Sequence, residues 1–229
     1  MLTFENLCFT QADFSLSADL STSSGKVVAI IGPSGAGKST LLHGVAGFVP
    51  QTKGRLLWQG KDISRQAPDK RPVSMLFQDN NLFPHLSVLQ NVALALGSSL
   101  RPRKHVIAQV EDMLAKVGLS GLSARKPSAL SGGQQSRVAL ARALLQDRPV
   151  MLMDEPFSAL GPALKNEMLD LSVSLAEHRT VIMVTHDPKD AVRIAEEVIG
   201  VVGGKAWPPV DTHKFMAAPP EPMRDYFVA

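Results

Sequence analysis

The fold is decided by Gly32-Pro33-Ser34-Gly35-Ala36-Gly37-Lys38-Ser39. This stretch fits the eight-residue phosphate-loop pattern without a mismatch, follows an apolar run at residues 27–31 and opens a stretch of helical periodicity. Its glycines let the backbone bend so that N–H groups point at phosphate oxygens, and the positive end of the following helix adds to the attraction. The sequence therefore predicts a phosphate-binding turn between a buried strand and a helix.

The same loop predicts how a nucleotide and its metal ion are held. Lys38 is long enough to reach the β- and γ-phosphates, and the Ser39 hydroxyl is a ligand suited to Mg²⁺. The predicted nucleotide-binding residues of this region are Gly32, Pro33, Ser34, Gly35, Ala36, Gly37, Lys38, Ser39 and Thr40. Ser39 is predicted as a metal ligand as well.

Apolar runs that alternate with helical stretches predict the architecture around the loop. Runs suited to strands buried on both faces of a parallel sheet lie at residues 27–31, 150–153, 181–184 and 198–202. Helical periodicity is found at residues 39–46, 162–177 and 188–195. This alternation predicts an α/β fold with a mainly parallel sheet, of the kind found in P-loop NTPases.

Two regions depart from the alternation. The interval from about residue 86 to residue 145 contains three helical stretches, at residues 88–96, 106–117 and 133–145, with no strand pattern between them. It predicts a helical subdomain inserted at about residues 84–146. Residues 2–7 and 55–58 have the pattern of strands, and they predict a small N-terminal antiparallel β layer.

The end of the chain has a different composition. Residues 207–229 contain five prolines and predict an irregular C-terminal tail. A single nucleotide-binding domain is therefore predicted at residues 1–206.

Carboxylates and a histidine follow two of the predicted strands. Asp154 and Glu155 end a buried strand, so they lie at the carboxyl edge of the sheet, where open α/β folds bind ligands. Asp154 is predicted to hold Mg²⁺ through water. Glu155 is predicted to polarise the attacking water, because it lies one residue farther along and can face the γ-phosphate. His186 follows the next apolar run and can donate a hydrogen bond there, so Glu155 and His186 are the predicted catalytic residues.

A second short motif is Leu130-Ser131-Gly132-Gly133-Gln134, which we call the signature. Five residues alone would be a weak match. The signature, however, ends 20 residues before Asp154 and lies between the phosphate loop and the acidic strand end. In this order the three motifs resemble the ATP-binding subunit of an ABC transporter, and the resemblance extends over nearly the whole chain.

That resemblance implies roles that the residues alone do not establish. Family members use the position of Gln78 to ligate or sense Mg²⁺ and to couple to a membrane partner. Signature residues, here Ser131, Gly132, Gly133 and Gln134, reach the γ-phosphate of ATP held by a second subunit. Two chains, arranged head to tail, would then bury two ATP molecules with their Mg²⁺ ions.

The resemblance also implies an aromatic side chain that stacks on adenine. Such a residue is usually found just after the first strand, and Phe9 is the predicted one. Phe14 is the alternative, and either ring could instead belong to the core.

A narrower likeness is carried by residues 71–88, Arg71-Pro72-Val73-Ser74-Met75-Leu76-Phe77-Gln78 with Asn80-Asn81-Leu82-Phe83 and His85-Leu86-Ser87-Val88. This segment is similar to the ATPase subunit of bacterial importers for thiamine and its phosphates. Importers of maltose or iron type usually add a regulatory domain, for which too few residues follow His186. The resemblance implies integral membrane permease subunits as partners, a periplasmic solute-binding protein acting indirectly, and a peripheral location on the cytoplasmic side of the inner membrane.

The chain departs from the family pattern in two places. After the signature the family usually has Arg-Gln, whereas this chain has Gln135-Ser136 before Arg137, so one basic contact is missing. The second departure lies in the D-loop. Ser158-Ala159-Leu160 resembles the family's D-loop, but Gly161 stands where an aspartate normally follows. The change removes a carboxylate from the predicted contact between subunits. We therefore expect slower or less tightly coupled hydrolysis.

Composition excludes several other classes of function. The net charge of +3 is too small to predict nucleic-acid binding, and no apolar run approaches the roughly 18–20 residues of a membrane span. Cys8 is the single cysteine, which excludes an internal disulfide. The alternative class is a soluble ABC ATPase of DNA repair or translation, although such proteins generally fuse two cassettes or insert a long coiled coil. A degenerate ATPase, marked by Gly161, is a third reading.

Overall fold

A computed structural model describes residues 1–11, 14–224 and 226. In chain order its strands are β1 Leu2–Gln11, β2 Phe14–Ser21, β3 Val27–Ile31, β4 Lys53–Trp58, β5 Lys61–Asp62, β6 Val73–Leu76, β7 Val150–Asp154, β8 Thr180–Val184, β9 Glu197–Val202, β10 Lys205–Ala206 and β11 Val210–Asp211. Its α-helices are α1 Lys38–Ala46, α2 Val88–Ala93, α3 Lys104–Lys116, α4 Gly132–Leu145, α5 Pro162–Ala176, α6 Pro188–Ile194 and α7 Thr212–Ala217.

The centre of the fold is a parallel sheet with strand order β9-β3-β8-β7-β6. Every residue of β3, β7 and β8 is buried, as their unbroken apolar runs predict. Because the strands are parallel, their carboxyl ends meet at one common edge, and β3, β7 and β8 are each followed there by a loop and a helix. The predicted α/β fold with a mainly parallel sheet is confirmed. The structure extends each of the four predicted strands of this sheet by at most one residue and adds β6, which was not predicted.

An antiparallel layer flanks this sheet. Strand β1 pairs with β2 on one side and β4 on the other, and β5 extends the layer beyond β4. The short strand β10 joins the layer to the parallel sheet, because it pairs with β2 and with β9. The predicted N-terminal β layer is therefore present, with β1 longer than residues 2–7.

The helical subdomain lies between β6 and β7. Helices α2, α3 and α4 pack through apolar side chains that have no solvent exposure, among them Val92, Val110, Leu114, Val138 and Leu140. The described chain has no strand between Leu76 and Val150, as predicted. Helix α2 is shorter than predicted and ends at Ala93, after starting at a capping box between Ser87 and Gln90.

Arg71 fixes the far end of the helix that starts at the phosphate loop. Its guanidinium is buried and donates to the carbonyls of Gly44 at 2.7 Å and Val45 at 2.9 Å, near the end of α1. It also donates to the main-chain carbonyls of Ser64 and Gln66. The bonds to Gly44 and Val45 add side-chain donors to carbonyls of the last turn, of which Gly44 also accepts from the Gly47 N–H, and they hold α1 in place.

The C-terminal segment corrects the prediction of an irregular tail. After Trp207 the chain forms β11, which pairs with β9, and then α7 and a 3₁₀ turn at Glu221–Met223. Phe215 and Met223 are buried against β9, where Gly200 leaves room for them. The prolines do not prevent this packing, because they lie between the elements or in the first turn, where no N–H donor is needed. Residues 225 and 227–229 of the predicted tail lie outside the described residues.

Among the helices that the structure describes, none combines the length and the apolar composition that crossing a bilayer requires.

Candidate nucleotide site

The phosphate loop connects β3 to α1 through glycines that no larger residue could replace without strain. A Cβ at Gly32, where φ is +155°, would collide with the main-chain carbonyl of Val201. Gly37 precedes the first residue of α1 with φ of 105°, in the left-handed region that favours glycine. The strand, the turn and the helix start therefore follow the order that the sequence predicts.

Lys38 is held by the loop itself. Its ammonium donates to the carbonyls of Gly32 and Pro33, both at 2.9 Å, and the residue is only 7% exposed. Burial lowers the pKa of the Lys38 ammonium from its ordinary value, against the raising effect of Glu155 and Asp154. The buried Lys38 ammonium is thus paired with two carbonyl oxygens, which carry only partial negative charge. Phosphate oxygens, which are ionised, would bind it more strongly.

An open pocket of about 440 Å³ lies over the loop. Its lining consists of Phe14, Ser34, Gly35, Gly37, Lys38, Ser39, Thr40 and Glu155. The pocket thus contains six of the nine predicted residues of this region. Gly32, Pro33 and Ala36 are not part of its lining. Gly32 and Pro33 bind Lys38, and the Ala36 N–H donates to the Pro33 carbonyl at 3.2 Å.

Asp154 ends β7 beside the start of α1. Its Oδ1 accepts a hydrogen bond of 2.8 Å from the Ser39 hydroxyl, and its Oδ2 lies 3.0 Å from Nε2 of His43. The sequence prediction missed His43. It stands four residues after Ser39 on the same helix, and this spacing could have identified it as a neighbour on the same face.

The pair Ser39 and Asp154 fits a magnesium ion. Mg²⁺ prefers hard oxygen ligands, and in nucleotide sites it is bound by one or two protein oxygens together with phosphates and water. Within the described residues, no group of three or more His, Cys, Asp or Glu side chains is arranged to hold a metal by itself. The Ser39 hydroxyl, which lines the pocket, and the Asp154 carboxylate, 2.8 Å from it, match the arrangement in which one or two protein oxygens bind the ion together with phosphates and water.

Glu155 and His186 meet at the same edge of the sheet. The register that pairs Asp154 with Val184 brings the ends of β7 and β8 together, and Nδ1 of His186 lies 2.8 Å from Oε2 of Glu155. Glu155 has a φ of 42°, and its N–H donates to the Val184 carbonyl at 3.1 Å. This turn aims the Glu155 side chain at the pocket, where it is part of the lining.

Phe9 is not the adenine-stacking residue. It is 1% exposed, and its ring packs on α1 at Gly44, where a Cβ would collide with it. A ring enclosed in this way cannot stack on a ligand in the pocket. Phe14 lines the pocket instead, and its ring lies 2.6 Å from the position of a Cβ on Gly37. The structure therefore favours Phe14, the alternative in the sequence prediction.

Gln78 lies at the same edge of the sheet as Asp154. It follows β6, which runs parallel to β7 with Leu76 opposite Met153, so it comes out at the same sheet edge as Asp154. Its side chain is exposed. The structure brings it to the edge where Asp154 lies but not into the lining of the pocket.

The signature forms the start of α4. The Ser131 hydroxyl accepts from the Gln134 N–H at 3.3 Å, and Oε1 of Gln134 accepts from the Ser131 N–H at 3.0 Å. Gly133 is buried, and a Cβ there would lie 2.6 Å from the Leu164 side chain, while Ser131 and Gly132 are exposed. None of these residues lines the pocket over the chain's own phosphate loop.

Gly161 occupies the position before the first residue of α5. Its φ of −64° and ψ of 154° are extended values, and nothing in the described structure lies within 4 Å of a Cβ built there. Glycine is therefore not required at this position for steric reasons.

Comparisons with known proteins extend these observations. The family described as "ABC transporter" matches residues 16–158. The chain is 51% identical over 231 residues to "Thiamine import ATP-binding protein ThiQ" of Ruegeria sp., with 100% of both chains covered. It is 50% identical to the protein of the same name from Cereibacter sphaeroides, with 99% of each covered.

Solved structures give a consistent result. A crystal structure of the ADP conformation of an ATP-binding cassette of an ABC transporter has a TM-score of 0.88 at 23% identity, covering 100% of this chain and 98% of that one. At this identity the likeness shows the fold alone. A dimeric structure of a post-hydrolysis state of another ATP-binding cassette, bound to ADP and Pi, has a TM-score of 0.78 at 28% identity, covering 93% and 99%.

Proposed function

This chain belongs to the ABC transporter family, and we propose that it is the ATP-hydrolysing subunit of a bacterial importer for thiamine and its phosphates. The observation that carries the catalytic part is the convergence of Lys38, Ser39 and Glu155 on one pocket over the phosphate loop, where Ser39 also binds Asp154. The substrate part is supported by relatives at 51% and 50% identity whose names refer to thiamine import.

Nucleotide binding would begin at the loop. Phosphate oxygens would replace the Gly32 and Pro33 carbonyls as partners of Lys38, while N–H groups at the start of α1 surround them. Ser39 and Asp154 would hold Mg²⁺, with Gln78 at the same edge; when bound, the ion offsets negative charge on the phosphates. Phe14 would stack on adenine.

Hydrolysis would use the pair Glu155 and His186. As water attacks the γ-phosphorus, the Glu155 carboxylate accepts its proton, and the bond from the γ-phosphorus to the β,γ-bridging oxygen breaks to give ADP and phosphate. His186 keeps the carboxylate oriented through the 2.8 Å contact and offers a donor towards the γ-phosphate.

The signature supports a head-to-tail dimer as the working unit. Within one chain it does not contribute to the pocket, yet its exposed Ser131 and the start of α4 form a surface suited to an anion. A second chain would bring this surface to the γ-phosphate. The dimeric cassette structure at 28% identity supports the same assembly.

The dimer would transmit its closure to integral membrane permease subunits. We place the chain on the cytoplasmic side of the inner membrane, bound to those subunits. A periplasmic solute-binding protein would deliver thiamine from the other side and act on this chain only through the permease.

Uptake of labelled thiamine in cells that depend on import tests both parts of the proposal. Cells without this chain should fail to accumulate thiamine, and the wild-type chain should restore uptake. Glu155→Gln should not restore it, while Glu177→Gln, at an exposed glutamate at the far end of α5, should. Unaffected uptake in cells without the chain would overturn the thiamine assignment. If the chain is purified from cells and no integral membrane protein accompanies it, a soluble ABC ATPase is favoured.

A further inference from the structure

The C-terminal segment reaches the catalytic edge of the sheet through Tyr226. Its phenol donates a hydrogen bond of 2.8 Å to the main-chain carbonyl of His186, and the ring is half-buried. The two residues are 40 positions apart in the chain. A bond across such a separation depends on the fold and not on local geometry.

The packing of the segment explains why Tyr226 arrives there. Phe215 and Met223 are 1% and 0% exposed and anchor the segment on β9. Gly200 permits this contact, since a Cβ there would lie 3.2 Å from the Met223 side chain. Tyr226 follows Met223 by three residues and packs at the edge of the same apolar cluster.

The accepting carbonyl belongs to the loop between β8 and α6. Neighbouring residues of this loop are held from within the domain, since the Thr185 N–H donates to Ile30 at 3.2 Å and the Asp187 N–H donates to the Thr185 hydroxyl at 3.1 Å. The Tyr226 hydroxyl, by contrast, binds the His186 carbonyl from the C-terminal segment. A rotation of the His186 peptide would move the imidazole away from Glu155, 2.8 Å from it.

We propose that Tyr226 is a positioning residue for ATP hydrolysis, which sets the orientation of His186 through its main chain. The inference rests on the proposed hydrolytic site. It gives the C-terminal segment a function beyond covering β9, because release of the segment would loosen the histidine that faces the γ-phosphate.

The chemistry of the phenol supports this role. Burial raises the pKa of Tyr226 above its usual value, and the negative charges of Asp187 and Glu155 raise it further. The phenol therefore remains protonated, and able to donate, throughout the neutral pH range.

Steady-state hydrolysis by Tyr226→Phe is the first test. The variant keeps the ring and removes only the donor, so kcat should fall between about two- and tenfold, the effect of one neutral hydrogen bond, with little change in KM for ATP. The matched control is Thr212→Val, which removes a buried hydroxyl that donates to the Ala195 carbonyl at 2.7 Å in the same segment. It should lower thermal stability and leave kcat unchanged. An unchanged kcat in Tyr226→Phe, or an equal loss in Thr212→Val, would overturn the proposal.

A double-mutant cycle tests whether Tyr226 acts through His186. In a His186→Ala background, measured by single turnover at high enzyme concentration, Tyr226→Phe should cause no further loss. If the two losses multiplied instead, the phenol would act on something other than the histidine, and the proposal would be wrong.

A pH profile gives a readout that simple packing would not affect. Tyr226 is the single tyrosine of the chain, so growth on a fluorinated tyrosine with a more acidic phenol alters this site alone. The labelled protein should lose activity as pH rises through the lowered phenol pKa, because a phenolate cannot donate, while the unlabelled protein keeps its activity. Superimposable profiles would contradict the role of the donor.

Failure of the inference can be separated from failure of the proposed function. If the wild-type chain hydrolyses ATP and Glu155→Gln does not, the proposed hydrolytic site is supported. A Tyr226→Phe variant with unchanged kcat would then contradict the inference alone. If the wild-type chain does not hydrolyse ATP, the proposed function fails first.

Discussion

The carboxylate of Glu155 and the imidazole of His186 lie 2.8 Å apart, although 31 residues separate them in the chain. Each residue follows a buried strand, and the parallel register of β7 and β8 places both strand ends side by side. The geometry makes them a unit: a change in one alters the orientation of the other. A substitution of either residue should therefore affect the function of both.

Glu155→Gln should abolish most ATP hydrolysis while leaving ATP binding intact. The amide keeps the volume and hydrogen bonding of the carboxylate but cannot accept the proton, so we expect kcat to fall by about 10²- to 10⁴-fold. Dimers should accumulate in the presence of ATP. Steady-state turnover, equilibrium nucleotide binding and size-exclusion chromatography measure the three effects, and turnover near the wild-type rate would remove Glu155 from its assigned role.

Mixing two inactive chains should restore partial activity. Heterodimers of Lys38→Ala and Ser131→Arg contain one intact composite site and one doubly damaged site. With random pairing and independent sites, turnover should reach about a quarter of the wild-type value. If heterodimers form, as shown by differently tagged chains, and the mixture is still as inactive as its parents, the sharing or the independence of the sites is disproved.

Gly161→Asp should raise ATP turnover or tighten its cooperativity in the assembled transporter. The position has φ of −64° and open space around it, so the aspartate adds a carboxylate at the predicted subunit junction without backbone strain. As the residue before α5, it should change folding stability by only a few tenths of a kcal/mol. Gly161→Asn, which has the same shape without the charge, is the control. Equal rates and Hill coefficients in all three proteins would show that coupling does not require the acid.

Phe14→Ala and Phe9→Ala should affect different properties. Loss of the Phe14 ring should raise KM for ATP, since stacking on a base contributes about 1–3 kcal/mol. Loss of the buried Phe9 ring should instead lower the free energy of unfolding by about 3–5 kcal/mol. Nucleotide titrations and urea denaturation distinguish the two. Weakened binding in a stably folded Phe9→Ala, with normal binding in Phe14→Ala, would restore the original assignment.

The phosphate loop and the parallel sheet could be predicted because their signals are local. An eight-residue pattern defines the loop, and apolar runs such as Val27–Ile31 define strands buried on both faces. The choice between Phe9 and Phe14 could not be made from a local signal, because distance from the loop favours neither ring. Leu7 and Phe9 lie on the same face of β1, and the structure shows that this face packs in the core.

The C-terminal segment shows the limit of composition as a guide. Five prolines suggest irregular backbone, but Phe215 and Met223 decide the outcome, because their burial against β9 needs only short elements with prolines between them. Likewise, nothing near Tyr226 in the sequence indicates its contact with His186. Such contacts follow from the docking of distant segments, which periodicity does not report.

The capping box at the signature has a consequence for the direction in which its polar atoms face. Ser131 and Gln134 both use oxygen atoms as acceptors to satisfy N–H groups of their own helix turn. The hydroxyl hydrogen of Ser131 and the amide hydrogens of Gln134 are not consumed by these bonds. The turn thus uses one lone pair of each side-chain oxygen for its own N–H groups and leaves the side-chain protons available for donation. Phosphate oxygens without protons can only accept hydrogen bonds, so the free donors of this turn suit the γ-phosphate that the opposite chain would hold in the proposed dimer.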